Sequence, residues 1–487
     1  MKEEDGYMST AKTTQDYPLY VAGKAVTTGK WLEVQDKYKQ STYARVALAD
    51  TETLESAINA AVQAEKAMAA LEPFQKQKIL LHCVKRFNEM REELTEILIA
   101  EGGKPLNAAK AEVERLINTF QIAADAVTQI DDGRLLPLAV TSAASGYQGF
   151  IKHVPIGAVS LISPFNFPLN LTAHKIAPAI AAGCPFVLKP ASLTPISAIK
   201  IAEVLAETDL PKGAFSVLPC PREHADILVT DDRFKLLSFT GSDVVGWDMK
   251  ARAGRKKVTL ELGGNAAVLV EPDTEITDAF IDRLIGGAYN HAGQVCISVQ
   301  RILIHADLYT EVKKKLVAKL KKIKASDPAL NTTMVGPMIK DAEAKRLKKW
   351  VDKAVKKGAK VLSGGDVTGV MFEPTLLENV DESLEVYKDE VFGPVAIIEK
   401  YKSFEKGIEK INASRFGLQA GVYTQNLNKM LYAWNNLHVG GVIINDIPSF
   451  RVDNMPYGGV KDSGLGREGI QSAIRDMQEE RVMAIRL

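Results

Sequence analysis

Gly157-Ala158-Val159-Ser160-Leu161-Ile162-Ser163-Pro164-Phe165-Asn166-Phe167-Pro168 opens the stretch that decides the fold. Gly157 to Ser163 is short, apolar and rich in β-branched residues, so it predicts a strand. Ala173 to Ala182 carries helix formers and predicts a helix. Pro185 to Leu188 predicts a second strand, Pro195 to Ala206 a second helix, and Lys235 to Phe239 a third strand. Alternation of this kind builds βαβ units and a parallel sheet.

Upstream, the pattern is different. Thr53 to Ala70, Phe74 to Ala100 and Ala108 to Thr128 place apolar residues at helical spacing, with acids near their starts. Downstream, a second alternating region runs from Ala266 to about residue 445. Its strand candidates are Ala266–Val270, Arg301–His305, Val395–Glu399 and Val442–Ile444, with a long helix expected over Leu308 to Lys324. Two α/β sheets in series follow. Residues 131–149 and the alternating tail Arg481 to Leu487 fit neither pattern and are expected as edge strands seeking a partner, one source being another subunit.

At 487 residues the chain exceeds one ordinary core, so two or three domains are expected. Hydrophobic residues make up 46% and charged residues 25%, the balance of a globular protein. A net charge of +1 provides no global field for nucleic acid or an acidic membrane. The lysines at 313–315 and 321–322 have the spacing of a solvated helix face. Lys2-Glu3-Glu4-Asp5-Gly6 lacks the apolar core of a signal segment, and Ile176 to Phe186 is too short to span a bilayer. Cys83, Cys184, Cys220 and Cys296 form no CxxC pair and no metal-spaced cluster, so no metal is expected and the usage fits a reducing, cytoplasmic setting.

Candidate chemistry clusters in a few segments. Cys296 follows Gly293-Gln294-Val295, and Glu261 lies 35 residues earlier beside Gly263-Gly264. A thiol nucleophile and a carboxylate base are what oxidation through a thioester requires; a small buried cysteine and a turn acid are the bland alternatives. Phe239-Thr240-Gly241-Ser242 has the form of a strand, a tight turn and a helix start. Gly241 and Ser242 there could hold a pyrophosphate, although the segment alone fits a plain helix N-cap. Lys189, at a strand end and fixed by Pro190, would point into a ligand crevice. Asn166 is either a turn residue or a placed amide donor, and composition alone favours the turn.

Pro164-Phe165-Asn166-Phe167-Pro168, Lys189-Pro190-Ala191, Phe239-Thr240-Gly241-Ser242, Glu261-Leu262-Gly263-Gly264, Gly293-Gln294-Val295-Cys296 and Glu390-Val391-Phe392-Gly393-Pro394 occur in the order of the aldehyde dehydrogenase superfamily. Pro456-Tyr457-Gly458-Gly459 also resembles it. The resemblance covers residue 18 to the end. Phe450-Arg451-Val452-Asp453-Asn454-Met455-Pro456 and the segment Asn170 to Ile180 look like its lactaldehyde dehydrogenase-like branch, with relatives acting on phosphonoacetaldehyde and glyceraldehyde 3-phosphate.

The resemblance implies an α/β fold in three parts. Residues 1–130 and 150–262 would form a Rossmann-type NAD(P)-binding domain, 263–450 a catalytic domain, and 131–149 with 451–487 a small β arm for a dimer or tetramer. It implies oxidation of a small, lactaldehyde-like aldehyde to the acid, with an anionic aldehyde (phosphonoacetaldehyde, succinate semialdehyde or glyceraldehyde 3-phosphate without phosphorylation) as the alternative and a non-catalytic protein of this fold as the remote one. Cys296 would be the nucleophile, Asn166 and the Cys296 N–H the oxyanion donors, and Glu261 the base for water. Relatives that pass the acyl group to coenzyme A usually lack that glutamate. Lys189 and Glu390 would hold the two riboses of the cofactor and Phe392 would pack near the nicotinamide. Ser192 stands where many NAD-preferring relatives carry glutamate, which removes a like-charge penalty and opens the site to NADP as well as NAD. Arg222 could add an attraction. For substrate, Arg115, Phe167, Phe450 and Arg451 are the candidates, and His291 with the two arginines could neutralise an anion; pairing with nearby acids is the default for both arginines. Val295 stands where some phosphorylated-aldehyde enzymes place arginine, against a phosphate.

Overall fold

The computed structural model describes residues 15–129 and 133–487. The segment Lys2 to Gly6 and residues 131–132 of the bridging strip lie outside the described residues. The parallel segment forms as expected. Val159–Ile162, Phe186–Lys189, Phe215–Val217, Leu236–Thr240 and Lys257–Glu261 are parallel neighbours in an eight-stranded sheet. Antiparallel strands flank them: Leu19–Val21 and Lys24–Val26 on one side, Gly464–Leu465 on the other. The strands Val159–Ile162 and Phe186–Lys189 are buried on both faces apart from Lys189, which is why they are apolar without alternation. Helices Thr51–Ala69, Asn170–Ala182 and Ile196–Ala206 cover this sheet. The short strands within residues 15–47 carry no clear sequence signal.

Strand order decides where a ligand can sit. Val159–Ile162 lies between Leu236–Thr240 and Phe186–Lys189, so the chain proceeds outward in opposite directions from it. Loops at the carboxyl ends of Val159–Ile162 and Leu236–Thr240 therefore diverge and leave a crevice. Asn166 and Gly241-Ser242 lie on those two loops.

The second sheet has seven strands. Ala267–Val270, Arg301–His305, Val395–Tyr401, Gln419–Tyr423, Gly441–Ile444 and Thr375–Glu378 are parallel, and Lys360–Ser363 is antiparallel at an edge. Its core is a separate hydrophobic cluster around Val268, Ile302 and Ile397.

Two expectations are corrected, and a third is completed within the chain. The single helix expected over Phe74 to Ala100 is two, Pro73–Glu89 and Arg91–Gly102, broken at Met90, whose φ of −98° and ψ of 11° leave the helical region. Both pieces keep one apolar face inward, so periodicity did not register the break. The helix expected to Lys324 ends at Leu320, where Lys321 and Lys322 turn to solvent. The two lone edge strands find each other's neighbourhood within the chain: Gln478–Arg486 pairs antiparallel with Tyr147–Pro155, which also pairs with Gly133–Leu136. This three-stranded sheet exposes Leu135, Val482, Met483 and Ile485. Among the described residues no helix is long and apolar enough to cross a membrane, and no cluster of His, Cys, Asp and Glu could hold a metal.

Candidate active site

Two sheets contribute the central pair. Glu261 ends the strand Lys257–Glu261 of the first sheet. Cys296 follows the helix Asp278–Tyr289 of the second, after an unusual turn. His291, Ala292 and Gly293 are all left-handed, with φ of 52°, 52° and 64°. Non-glycine residues in that region cost of order 1 kcal/mol each or more, so the surrounding packing must hold the turn. The backbone also sits tightly: a Cβ on Gly264 would lie 2.2 Å from the Cys296 carbonyl oxygen.

A segment near the chain end joins the pair. Tyr457 Oη and Cys296 Sγ are 3.0 Å apart, in hydrogen-bond contact. A Cβ on the next residue, Gly458, would lie 2.7 Å from Glu261 Oε1. Tyr457-Gly458 is thus wedged between nucleophile and base. Burial pushes the Cys296 thiol up to about 12, although Tyr457 and Arg451 act to lower it. The resting group is therefore the protonated thiol. Burial, and then the like charge of Glu468, raises the Glu261 carboxyl well above its ordinary range. Among the described residues neither Glu261 oxygen has a hydrogen-bond partner. A carboxylate whose pKa is raised is a stronger base, which suits it to take a proton from water.

Asn166 is buried on the loop after Val159–Ile162, and its Nδ2 donates to the Gln294 carbonyl at 3.0 Å. That bond fixes which end of the amide is the donor and leaves its second N–H free. Gln294 is itself anchored, accepting from Ile339 N at 2.9 Å.

Around Glu261 lies a buried charged group that sequence reasoning missed. Glu468 accepts from Lys175 Nζ and Arg451 Nη2, both at 3.2 Å, and from Thr240 Oγ1. Burial would raise the Glu468 carboxyl, but Lys175, Arg451 and His174 outweigh it and bring it down to about 2. Arg451 also stacks over the Tyr457 ring, 3.7 Å from its centre, and its Nε has no partner. Arg451 was already a candidate, and the further signal was Lys175 among the buried residues of the helix Asn170–Ala182. Tyr457 stood in a quoted segment without an assigned role.

The other candidates separate into two groups. Arg115 pairs with Asp453 at 2.6 Å and reaches the Phe167 ring at 5.9 Å, so its default pairing holds while it remains beside the loop of Asn166. Arg451 is likewise paired with an acid, yet touches the ring that bonds the nucleophile. Phe167 meets the His291 ring edge-on. His291 is corrected: burial, with Lys104 nearby, lowers its pKa well below the usual value, so it is a neutral imidazole and no counter-ion. Phe450 is 39% exposed, and its carbonyl accepts from Gln419.

Of the residues expected to hold the cofactor, Lys189 ends the strand Phe186–Lys189 and Gly241-Ser242 follow the strand Leu236–Thr240, both at the carboxyl edge of the first sheet. Lys189 is largely enclosed, its pKa lowered by burial, and bonds only the Pro190 carbonyl. Ser192 is exposed nearby, as is Arg222 on its loop. Ser242 precedes the helix Asp243–Arg252 and makes no side-chain cap bond to it, an arrangement suited to an anion at the helix start. Gly241 N donates to the Glu261 carbonyl, tying this turn to the base. On the opposite wall Glu390 accepts from Gly264 N at 2.8 Å, and burial raises its carboxyl to about 8. It lines a small pocket with Gly293, Val295 and Phe392, and Phe392 meets Phe165 edge-on. A cationic donor at a strand end, a free helix N-terminus and a buried acceptor suit a dinucleotide.

The aldehyde dehydrogenase family model matches residues 24–483. The 3-sulfolactaldehyde dehydrogenase of Priestia aryabhattai is 40% identical over 481 residues, which is 99% of this chain and 100% of that protein. Among solved structures, aldehyde dehydrogenase 21 from Physcomitrella patens, in complex with the reaction product succinate, superposes with a TM-score of 0.96 at 47% identity, covering 98% of this chain and 99% of that one. The glyceraldehyde-3-phosphate dehydrogenase GapN of Methanocaldococcus jannaschii, complexed with NADP, superposes with a TM-score of 0.90 at 36% identity, covering 94% and 100%. With these likenesses running the length of the chain, the protein belongs to the aldehyde dehydrogenase family.

Proposed function

We propose that the enzyme oxidises a short aldehyde with a carboxylate or sulfonate at its far end, using NADP or NAD. The carrying observation is Arg451. It is buried, stacked on the ring that bonds the nucleophile, and shares one carboxylate with a second cation. Lys175 and Arg451 converge on the single carboxylate of Glu468, which places a buried guanidinium against the ring that bonds Cys296. A buried cation beside the nucleophile favours an anionic ligand over a neutral one. The 3-sulfolactaldehyde and succinate named for the relatives are short molecules of that kind. Val295 before Cys296 supports carboxylate or sulfonate over phosphate. Lactaldehyde, uncharged, is the second candidate.

In this reading Cys296 Sγ bonds the carbonyl carbon and passes its proton to solvent, while the aldehyde oxygen, as an oxyanion, accepts from Asn166 Nδ2 and the Cys296 N–H. Such a donor is worth roughly 3 kcal/mol. The cofactor, when bound, supplies the acceptor for a hydride. Lys189, Ser192, Gly241, Ser242, Glu390 and Phe392 hold it in place. Glu261 then takes a proton from water, which cleaves the thioester, releases the acid and returns the thiol. Ser192 supports use of NADP. The eight-stranded sheet would serve the cofactor, the seven-stranded sheet the nucleophile, and the exposed three-stranded sheet a dimer or tetramer contact.

Steady-state kinetics with succinate semialdehyde, 3-sulfolactaldehyde, lactaldehyde and glyceraldehyde 3-phosphate test the substrate. The expected result is a kcat/KM for one of the first two at least about tenfold above lactaldehyde. Equal or better use of lactaldehyde would overturn the anionic reading.

A further inference from the structure

Behind the loop of Asn166 lies an ion pair that the mechanism above does not use. Lys104 Nζ contacts Glu112 Oε2, and neither side chain is more than 1% exposed. Glu112 does a second thing: its Oε1 accepts from the backbone N–H of Leu169 at 2.9 Å and of Asn170 at 3.2 Å. Those groups open the helix Asn170–Ala182, immediately after the Asn166 loop. Lys104 Nζ meanwhile sits 3.7 Å from the centre of the Phe167 ring, the residue next to Asn166.

Lys104 is wedged in turn. It follows Gly103, with φ +62°, where a Cβ would lie 2.6 Å from Pro337 Cγ. The loop that contains Pro337 anchors Gln294 through Ile339 N, and the Gln294 carbonyl takes the Asn166 amide. The donor is thus held from both sides, and both supports run through Lys104 and its loop.

Two buried charges are costly, and apolar residues of similar volume would often be no less stable. Their retention needs a positional reason, and the contacts provide one. We propose that the Lys104–Glu112 pair positions the amide of Asn166, setting the oxyanion site by fixing the main chain at 169–170 and the Phe167 ring at once. This rests on the reading of Asn166 as an oxyanion donor. The neighbouring cofactor loop is held separately: Glu101 accepts from Ile196 N and Ser197 N, so disturbing Lys104 should leave cofactor binding intact.

The test is a double-mutant cycle. Lys104→Met, Asn166→Ala and the double variant are compared in single-turnover NADPH formation with saturating succinate semialdehyde, while NADPH affinity is measured by fluorescence titration. Asn166→Ala alone is expected to lower the rate about a hundredfold; no loss would sink the oxyanion reading and the proposal with it. Lys104→Met is expected to lower the rate about tenfold in the native background and less than about twofold on top of Asn166→Ala, with NADPH affinity within twofold. Equal losses in both backgrounds, no loss from Lys104→Met, or weakened NADPH binding would overturn the positioning role. Should Lys104→Met not fold, Glu112→Leu, which removes the acceptor of both N–H groups, takes its place in the same cycle with the same criteria.

Discussion

The strongest quantitative consequence of the buried charged group concerns Glu468→Gln and the pH dependence of thioester hydrolysis. Glu261 is raised by burial first and by the Glu468 charge second, while Arg451, Lys175 and Arg467 pull it down. The substitution removes a raising charge and frees two cations that it had neutralised, so every change lowers the Glu261 pKa. Loss of a like charge inside a buried cluster is felt far more strongly than it would be in water, so the downward shift should be large enough to read in a pH profile. Glu261 acts deprotonated, so the ascending limb of kcat against pH should move to lower pH. The variant would then exceed the native enzyme near the acid end and match it above neutrality. The assay is kcat from pH 5 to 9 at saturating substrate, with the 1-deuterated aldehyde confirming that hydrolysis limits turnover. Breaking the buried pairs should also cost about 3–5 kcal/mol, so rates belong well below the variant's lowered Tm. A limb that stays in place, or moves to higher pH, would refute the charge assignment around Glu261.

Tyr457→Phe removes the hydroxyl that lowers the thiol pKa, so alkylation of Cys296 by iodoacetamide at pH 8 should slow about threefold to tenfold; an unchanged or faster rate would contradict the 3.0 Å contact. Ser192→Glu should lower kcat/KM for NADP by roughly tenfold or more while leaving NAD within a few-fold, and steady-state kinetics with both cofactors decides. Gly264→Ala places a Cβ 2.2 Å from the Cys296 carbonyl oxygen, so kcat should fall at least about a hundredfold in a folded protein; near-native kcat with native circular dichroism would argue against a rigid nucleophile backbone. Asp453→Asn weakens the partner of Arg115 and His174, and a loss of about 2–4 kcal/mol should appear as a lower urea midpoint; an unmoved midpoint would show that the pairs contribute little.

The parallel order of the first sheet was legible because its strands are apolar on both faces and punctuated by Gly and Pro. Cys296, Glu261 and Asn166 were legible as motifs, and the structure gathers them. Partnership across distance was not. The contacts of Lys175 with Glu468 and of Arg115 with Asp453 span 293 and 338 residues, and a sequence shows charged residues without showing which meet. The same limit made His291 look like a cation. Its charge is decided by burial among Phe167 and Lys104, a property of tertiary packing. The break at Met90 was hidden for a different reason: both helices continue the same apolar face.

The wedge of Tyr457-Gly458 also fixes when in the life of a chain this chemistry begins. Cys296 and Glu261 leave the ribosome well before Tyr457, and Glu468, which tunes the base, comes later still. The strand Gly464–Leu465 then has to reach back and pair with Leu260 and Glu261. At ordinary rates of synthesis the interval from the thiol to Glu468 lasts on the order of ten to thirty seconds. A chain interrupted in that interval already packs Gly264 against the Cys296 carbonyl, but lacks the segment that bonds the thiol and lies against the carboxylate. The complete site therefore forms only once this late segment is made.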